Sequence, residues 1–196
     1  RYFGDMVTYT DKIVGKLQRK LQDLGIAENT IILFTGDNGT GREMVSEWQD
    51  REIRGGKGSM TDRGTRVPLI VKWPARGAKG AVVDHVVDFS DFVPTLCEAA
   101  GAELPGDIPF DGRSFLPQIM GRTGNPREWI YCWYERGGKT EKAREFAREE
   151  EYKLYRSGEF YHVPTDLDEK KPLGEADLTP EARRAKAKLQ SALAQY

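Results

Sequence analysis

The stretch that decides the fold is Thr30-Ile31-Ile32-Leu33-Phe34-Thr35-Gly36-Asp37-Asn38-Gly39. Its four consecutive large apolar residues predict a short strand buried on both faces. A carboxylate, a carboxamide and a glycine follow the strand directly. In open α/β sheets, ligands bind outside the carboxyl ends of the strands. The stretch therefore places a candidate site at Asp37 and Asn38.

These two residues permit two interpretations. Carboxylate and carboxamide oxygens are hard ligands that suit Ca²⁺ or Mg²⁺ rather than a soft metal. The tripeptide Asp-Asn-Gly is also common turn chemistry. The spacing alone leaves both interpretations open.

Length and composition narrow the class of protein. The 196 residues suffice for one medium domain or a domain with a small appendage, and the net charge is −1. Such a balance gives no general attraction to nucleic acid or to an anionic membrane. No apolar run is long enough to span a bilayer. Two cysteines are too few for a disulfide framework or a zinc site.

The residues before the strand predict an amphipathic helix. Apolar side chains recur three or four positions apart from Phe3 to Leu24, and Gly25 follows where a C-terminal cap is expected. Helix and strand together form an α/β unit. Because the chain begins inside this helical pattern, we expect it to be part of a longer protein.

The residues after the strand predict a long loop, from Gly39 to Gly64, that contains Arg54-Gly55-Gly56-Lys57-Gly58. Glycines let the backbone approach a ligand closely, and the Lys57 ammonium can then reach an oxyanion. The alternative is a mobile surface lysine. A loop of this length is usually functional or disordered.

Further along, Val67–Pro74 predicts a strand and Ala81–Val83 a second one. His85 lies beside the second strand, and we interpret it as structural. Ser90 is the expected N-cap of a helix that ends at Gly101.

The last third has a different texture. Aromatic-rich runs at 129–134, 152–155 and 160–163 predict short strands, the last two joined as a hairpin. We interpret the charge-dense stretch Lys139–Glu151 as a solvated helix or loop. Thr179 and Pro180 begin a final helix. The pattern predicts a small antiparallel sheet with one helix.

Three stretches, in their order and spacing, resemble the C-terminal half of a type I sulfatase, of the alkaline phosphatase superfamily. They are residues 30–39, residues 54–58 with 64–68, and residues 91–96 with 110–116. The resemblance implies an α/β fold: the C-terminal portion of an alkaline-phosphatase-like mixed sheet sandwich over residues 1–126. A small α+β subdomain, an antiparallel sheet plus one helix, is then expected over residues 127–196.

The resemblance also implies roles. Asp37 and Asn38 are expected to ligate a Ca²⁺ that holds a sulfate ester, with Mg²⁺ less favoured. Lys57 is expected to bind the sulfate and to stabilise developing charge as a catalytic residue, since an ammonium lowers the cost of concentrating negative charge. The implied substrate is a sulfated small molecule or glycan. Sulfatases of this family are typically periplasmic or secreted.

The chain departs from the family at the nucleophile. Sulfatases use a formylglycine made from Cys or Ser in a Cys/Ser-x-Pro/Ala-x-Arg motif. The residues after Cys97 lack the Arg, and those after Cys132 carry Tyr134 in place of Pro or Ala. We therefore interpret both cysteines as ordinary buried residues. We expect the formylglycine in a missing N-terminal part of the protein, and this chain alone to be inactive.

Other possibilities follow from the same residues. Arg63, which precedes Gly64, could narrow the site or favour an acidic substrate, but we expect it to face solvent. A phosphoester or phosphonate ester hydrolase of the same superfamily is the nearest alternative function. A non-catalytic pseudoenzyme module is the alternative of another class.

Overall fold

The computed structural model describes residues 2–196. Five α-helices and eight strands follow one another in this part of the chain. They are α1 Tyr2–Asp23, β1 Ile32–Thr35, β2 Val45–Trp48, β3 Arg51–Arg54, α2 Asp62–Thr65, β4 Leu69–Lys72, α3 Phe92–Ala100, α4 Leu116–Ile119, β5 Ile130–Tyr134, β6 Arg144–Arg148, β7 Tyr152–Tyr155, β8 Phe160–His162 and α5 Pro180–Leu193. No helix within residues 2–196 combines the length and apolar character needed to cross a bilayer.

Helix α1 confirms the predicted amphipathic helix. Gly25 ends it in the left-handed conformation, with φ of 70°, and its N–H donates to the Gln22 carbonyl at 2.9 Å. The apolar side of α1 is largely exposed: Met6 is 66% and Leu17 58% accessible. The helix therefore contributes no buried side chain to this chain's core.

Strand β1 is present, but the prediction that both its faces are buried is wrong for this chain. It pairs antiparallel with β4 in a two-stranded sheet. Phe34 is 36% exposed, and no residue of the strand is fully buried. A strand is buried on both faces only when other layers cover them, and here β1 has a single neighbouring strand.

The expected loop from Gly39 to Gly64 is more ordered than predicted. Strands β2 and β3 form an antiparallel hairpin inside it. Gln49 and Asp50 make the turn with positive φ angles of 48° and 59°, as two-residue hairpins require. Both strands are mostly exposed, so they lack the apolar alternation that would have revealed them.

The next predictions are partly confirmed. Strand β4 lies within Val67–Pro74 as expected, whereas Ala81–Val83 forms no strand and Val82 is 89% exposed. Ser90 is not the N-cap. Asp91 holds that position directly before α3, and Asp88 caps the short 3₁₀ turn that precedes the helix, since its carboxylate accepts the Ser90 N–H at 2.9 Å.

The C-terminal sheet has the antiparallel order β5-β6-β7-β8. Its predicted hairpin is confirmed, and Gly158 turns it with φ of 106°. The solvated helix or loop predicted over Lys139–Glu151 is wrong, because this stretch contains the inner strand β6. Phe146 and Ala147 in β6 are completely buried, but the charged residues around them hide the strand pattern.

Two layers cover this sheet. On one face, α5 contributes five buried apolar side chains, among them Leu189, to a core with Leu154 and Phe160. On the other face, Phe146 and Tyr155 belong to a cluster with Met60. The sheet thus lies between α5 and the segment that follows Lys57.

Candidate active site

Asp37 and Asn38 lie at a bend directly beyond the end of β1. Asp37 is exposed and Asn38 half-buried. Within residues 2–196 neither side chain makes a hydrogen bond, so neither closes a turn through its own backbone. Their side-chain oxygen atoms are therefore available to bind a cation.

Lys57 occupies a tight turn, which we call the lysine turn (residues 56–59). The Ser59 N–H donates to the Gly56 carbonyl at 2.8 Å. Gly58 has φ of 78°, the conformation that favours glycine at the third position of such a turn. The turn exposes the Lys57 side chain.

Two backbone hydrogen bonds join these parts of the site. The Lys57 N–H donates to the Thr40 carbonyl at 2.9 Å, and the Gly39 N–H donates to the Gly64 carbonyl, also at 2.9 Å. A Cβ on Gly39 would lie only 1.9 Å from the Arg63 carbonyl oxygen. The structure therefore brings the segment after Asp37 and Asn38 against the lysine turn, in an approach that only glycine permits.

Arg42, in the long loop after Gly39, contacts the lysine turn through its side chain. Its Nε donates to the Lys57 carbonyl at 3.0 Å, and its Nη2 donates to the Gly58 carbonyl at 3.2 Å. The guanidinium thereby holds the lysine turn through two of its backbone carbonyls. A single arginine in a polar, glycine-rich segment carries no signal for this role.

Lys153, on β7, is completely buried and contacts the residue that follows the lysine turn, Met60. Its Nζ donates to the Met60 carbonyl and pairs with Glu169 at 2.6 Å. Burial lowers the pKa of Lys153, and the Glu169 carboxylate opposes that shift. A lysine between apolar β7 neighbours was the available signal, but its partner lies 93 residues away.

Two further ion pairs connect this segment to the C-terminal sheet and its following loop. Asp62 pairs with Arg148 at 2.9 Å, both nearly buried, and burial lowers the Arg148 pKa. Arg63 pairs with Asp168 at 2.6 Å. Arg63 is thus half-buried and paired with the C-terminal part of the chain rather than free in solvent.

The stretch around Asp91 is structural. Asp91 is 1% exposed; its carboxylate accepts the Arg113 N–H at 2.7 Å and Nε of Arg127 at 3.0 Å. The Thr95 hydroxyl donates to the Asp91 carbonyl and accepts the Phe115 N–H. These contacts join residues 91–96 to 110–116, which explains why both stretches accompany the site in the sequence.

The remaining candidates add no catalytic group. Cys97 and Cys132 are free and half-buried rather than fully buried. Burial raises the pKa of the Cys132 thiol, which disfavours a reactive thiolate. His85 is half-buried and lines a small cavity with Arg113 and Arg127.

The side-chain oxygens of Asp37 and Asn38 are the type of ligand that a hard cation prefers, but two residues provide too few of them. No group of three or more His, Cys, Asp or Glu side chains that could hold a metal occurs within residues 2–196. A bound Ca²⁺ typically takes six to eight oxygen ligands. These two residues can therefore supply only part of a complete site.

Comparison with protein families identifies the chain. The Sulfatase family model matches residues 1–102, and the model for the C-terminal region of N-sulphoglucosamine sulphohydrolase matches residues 55–194. The chain therefore belongs to the sulfatase family, as its motifs predicted.

Individual relatives agree with this assignment. The chain is 38% identical to mouse (Mus musculus) steryl-sulfatase over 125 residues, which is 61% of this chain and 20% of that protein. It is 35% identical to human (Homo sapiens) arylsulfatase A over 132 residues, 67% of this chain and 26% of that protein. The chain thus spans about a quarter or less of the length of these relatives.

Solved structures give the same result for the fold. A protein in complex with its substrate D-glucosamine-2-N,6-O-disulfate superimposes with a TM-score of 0.74 and 25% identity, over 96% of this chain and 38% of that one. A sulfatase from Pseudoalteromonas sp. gives a TM-score of 0.72 and 25% identity, over 94% and 40%. The predicted alkaline-phosphatase-like α/β fold is confirmed.

Proposed function

We propose that this chain is the C-terminal part of a sulfatase that hydrolyses sulfate monoesters, with Asp37, Asn38 and Lys57 as its contribution to the active site. The observation that carries the proposal is the pair of backbone hydrogen bonds that holds Lys57 and Gly64 against residues 39–40. These bonds support the proposal because they bring the backbone of Lys57 against the residues that directly follow Asp37 and Asn38.

The proposed roles follow from charge. A sulfate ester gathers negative charge on its oxygens as the ester bond breaks, so groups that meet this charge lower the barrier. Lys57 is exposed on a turn whose backbone is fixed on two sides, so its ammonium can bind the sulfate from a defined base. Asp37 and Asn38 would hold a Ca²⁺ ion, which supplies Lewis-acid stabilisation of the sulfate oxygens.

The rest of the site belongs, in this proposal, to a further part of the same protein. The nucleophile and the remaining metal ligands are assigned there, because Asp37 and Asn38 cannot complete a Ca²⁺ site. The exposed apolar side of α1 would pack against that part. The chain alone is then inactive.

The proposed substrate is a sulfated sugar. Two findings support this class over an aryl or steroid sulfate: the family match to the C-terminal region of N-sulphoglucosamine sulphohydrolase over residues 55–194, and the likeness to the structure that holds a disulfated glucosamine. The match to steryl-sulfatase covers less of the chain, at 61%.

The test is turnover by the full-length protein, with an aryl sulfate and an aryl phosphate as parallel substrates. We expect Asp37→Ala and Lys57→Ala each to lower kcat/KM for the sulfate by about a hundredfold or more, because each removes a group that meets transition-state charge. Asp107→Ala is the matched control, since Asp107 is also an exposed loop aspartate.

The outcomes separate the alternatives. If the parent hydrolysed the aryl phosphate faster than the aryl sulfate, the protein would be a phosphoester or phosphonate hydrolase rather than a sulfatase. Turnover of neither ester, nor of glucosamine 6-O-sulfate, would favour a pseudoenzyme. Unchanged sulfate hydrolysis in Asp37→Ala would remove this residue from the metal site, and Ca²⁺ binding measured by calorimetry on both proteins gives a readout independent of activity.

A further inference from the structure

An open cleft of about 500 Å³ lies beside the lysine turn. We call it the basic cleft and define it by its two walls and its floor. Gly58–Thr61 form one wall, and the end of β5 with the start of β6 forms the other. Tyr155 and Tyr161 lie on its floor. The cleft thus joins the proposed sulfate-binding turn to the C-terminal sheet.

The acidic residues along this cleft are already engaged. Asp168 pairs with Arg63 at 2.6 Å and with Lys170 at 2.9 Å. Glu169 pairs with buried Lys153. Both carboxylates are therefore neutralised by cations that do not line the cleft.

The third acid and the bases behave differently. Glu135 accepts the Lys139 backbone N–H at 2.8 Å, which involves no cation. Four cationic side chains line the cleft: Arg42, Arg136, Lys142 and Arg144. Because two of the three acids are paired elsewhere, the cations leave the cleft with an excess of available positive charge.

Two of these cations have no structural task within residues 2–196. Arg42 holds the lysine turn, and Arg144 lies over the Tyr155 ring, 4.8 Å from its centroid. Arg136 and Lys142 are exposed and form no ion pair with a described residue. Positive charges that stabilise nothing in a concave surface are candidates for ligand binding.

The cleft also offers aromatic surface of the kind that packs against a sugar ring. Tyr134 is 37% exposed at the cleft wall. Its hydroxyl comes close to the other wall, since a Cβ on Gly58 would lie 3.4 Å from it. A volume of about 500 Å³ lies within the range for small-molecule sites, roughly 300–1,000 Å³.

We propose that the basic cleft is a subsite for a second anionic group of the substrate, a sulfate or carboxylate carried by the sugar bearing the scissile ester or by its neighbour. Arg136 and Lys142 bind the anionic oxygens, and Tyr134 contacts the ring. This subsite rests on the proposed function, because it orients the substrate toward Lys57. It predicts a preference for sugars with more than one negative charge.

The experiment compares two sugars on the full-length protein: glucosamine 6-O-sulfate and glucosamine 2-N,6-O-disulfate. The measured quantity is the ratio of their kcat/KM values. In the Arg136→Ala/Lys142→Ala variant we expect this ratio to fall about tenfold through KM, since each lost charge-assisted hydrogen bond weakens binding of the extra anion. For an aryl monosulfate with no second charged group, kcat/KM of the double variant should stay within about twofold of the parent's value.

Lys139→Ala is the matched control, because Lys139 lies on the same loop, carries the same charge and does not line the cleft. Its ratio should remain that of the parent. If Lys139→Ala lowered this ratio equally, a general effect of charge would explain the result and the subsite would be rejected. A parent without preference for the disulfated sugar, or a double variant with an unchanged ratio, would overturn the proposal.

Failure of the proposed function is seen separately, as absence of hydrolysis of both sugar sulfates and of the aryl sulfate in the parent. In that case calorimetric binding of glucosamine 2-N,6-O-disulfate decides the subsite by itself. Binding that weakens about tenfold in the double variant and not in Lys139→Ala supports the cleft. Binding that is absent, or equal in all three proteins, overturns it.

Discussion

Residues 2–126 and residues 127–196 bury their apolar side chains to very different extents. In the first region the large buried apolar side chains are Met60, Trp73, Phe115 and Leu116, whereas α1 has no fully buried residue. In the second region, which we call the C-terminal subdomain, strands β6–β8 and helix α5 enclose a continuous core. The first region contains the candidate site residues, whereas the second contains most of the buried apolar core.

This difference shows how a site can be ordered without a large core around it. The lysine turn is held by backbone hydrogen bonds to Thr40 and by Arg42. The segment just after it is held by Lys153 and Arg148 of the C-terminal subdomain. Buried polar contacts are directional, so they fix a loop that apolar packing alone would leave free to shift.

The largest expected effect is that of Lys153→Met. The substitution leaves the Glu169 carboxylate buried without its cation, and breaking such a pair costs about 3–5 kcal/mol. Urea unfolding at pH 7 measures the loss, with exposed Lys139→Met as the control. Adding Glu169→Gln should recover part of it. A cost below about 1 kcal/mol would mean that this contact does not anchor the two regions.

The same leucine truncation should differ between the regions. Leu189→Ala in α5 removes a side chain with no exposure and should lower the free energy of unfolding by about 2–5 kcal/mol. Leu17→Ala in α1, where Leu17 is 58% exposed, should cost less than about 0.5 kcal/mol in this chain. Chemical denaturation of both variants checks the contrast, and equal losses would contradict it.

A smaller effect is expected at the contact between the two site segments. Gly39→Ala places a methyl group 1.9 Å from the Arg63 carbonyl oxygen, so the backbones must separate. Overpacking of this kind costs about 1–3 kcal/mol. Gly106→Ala is the control, since nothing lies within 4 Å of its Cβ position. Thermal unfolding compares the two, and kcat/KM in the full-length protein should fall only for Gly39→Ala.

The smallest effect concerns pH and an ion pair of the C-terminal subdomain. Arg156 holds the pKa of Glu145 below its usual range, and the Tyr131 hydroxyl also donates to this carboxylate. A lowered folded-state pKa adds stability above the unfolded pKa, and this stability is lost as pH falls through the folded value. Glu145→Gln should therefore cost about 0.2–1 kcal/mol at pH 7.

That difference from the parent should shrink below pH about 4.5, the ordinary glutamate value. Denaturation series at pH 7 and at pH 3 measure it. A difference that stays constant between the two would show that the carboxylate's charge is not what stabilises the fold.

The elements predicted correctly share strong local signals. Helix α5 has its cap at Thr179, its proline at the first position and apolar residues at helical spacing. Strands β5, β7 and β8 are rich in aromatic residues. Such signals lie within a few residues of one another, so the sequence alone reveals them.

The elements missed have their signals masked or dispersed. In β6 the charged residues Arg144, Glu145 and Arg148 surround Phe146 and Ala147, although Arg148 is itself buried by its pairing with Asp62. The β2–β3 hairpin is mostly exposed and has no apolar alternation. A side chain whose burial depends on a distant partner cannot be recognised from its neighbours.

For this protein the sequence by itself determined the family, the strands β5, β7 and β8 with helix α5, and the candidate residues Asp37, Asn38 and Lys57. Only the tertiary structure decided that Thr40, Arg42 and Gly64 hold these segments together, and that Lys153 supports them from β7. The physical reason is distance along the chain. Propensity and motif act over a few residues, whereas Met60 and Lys153 meet across 93 positions and only in the folded protein.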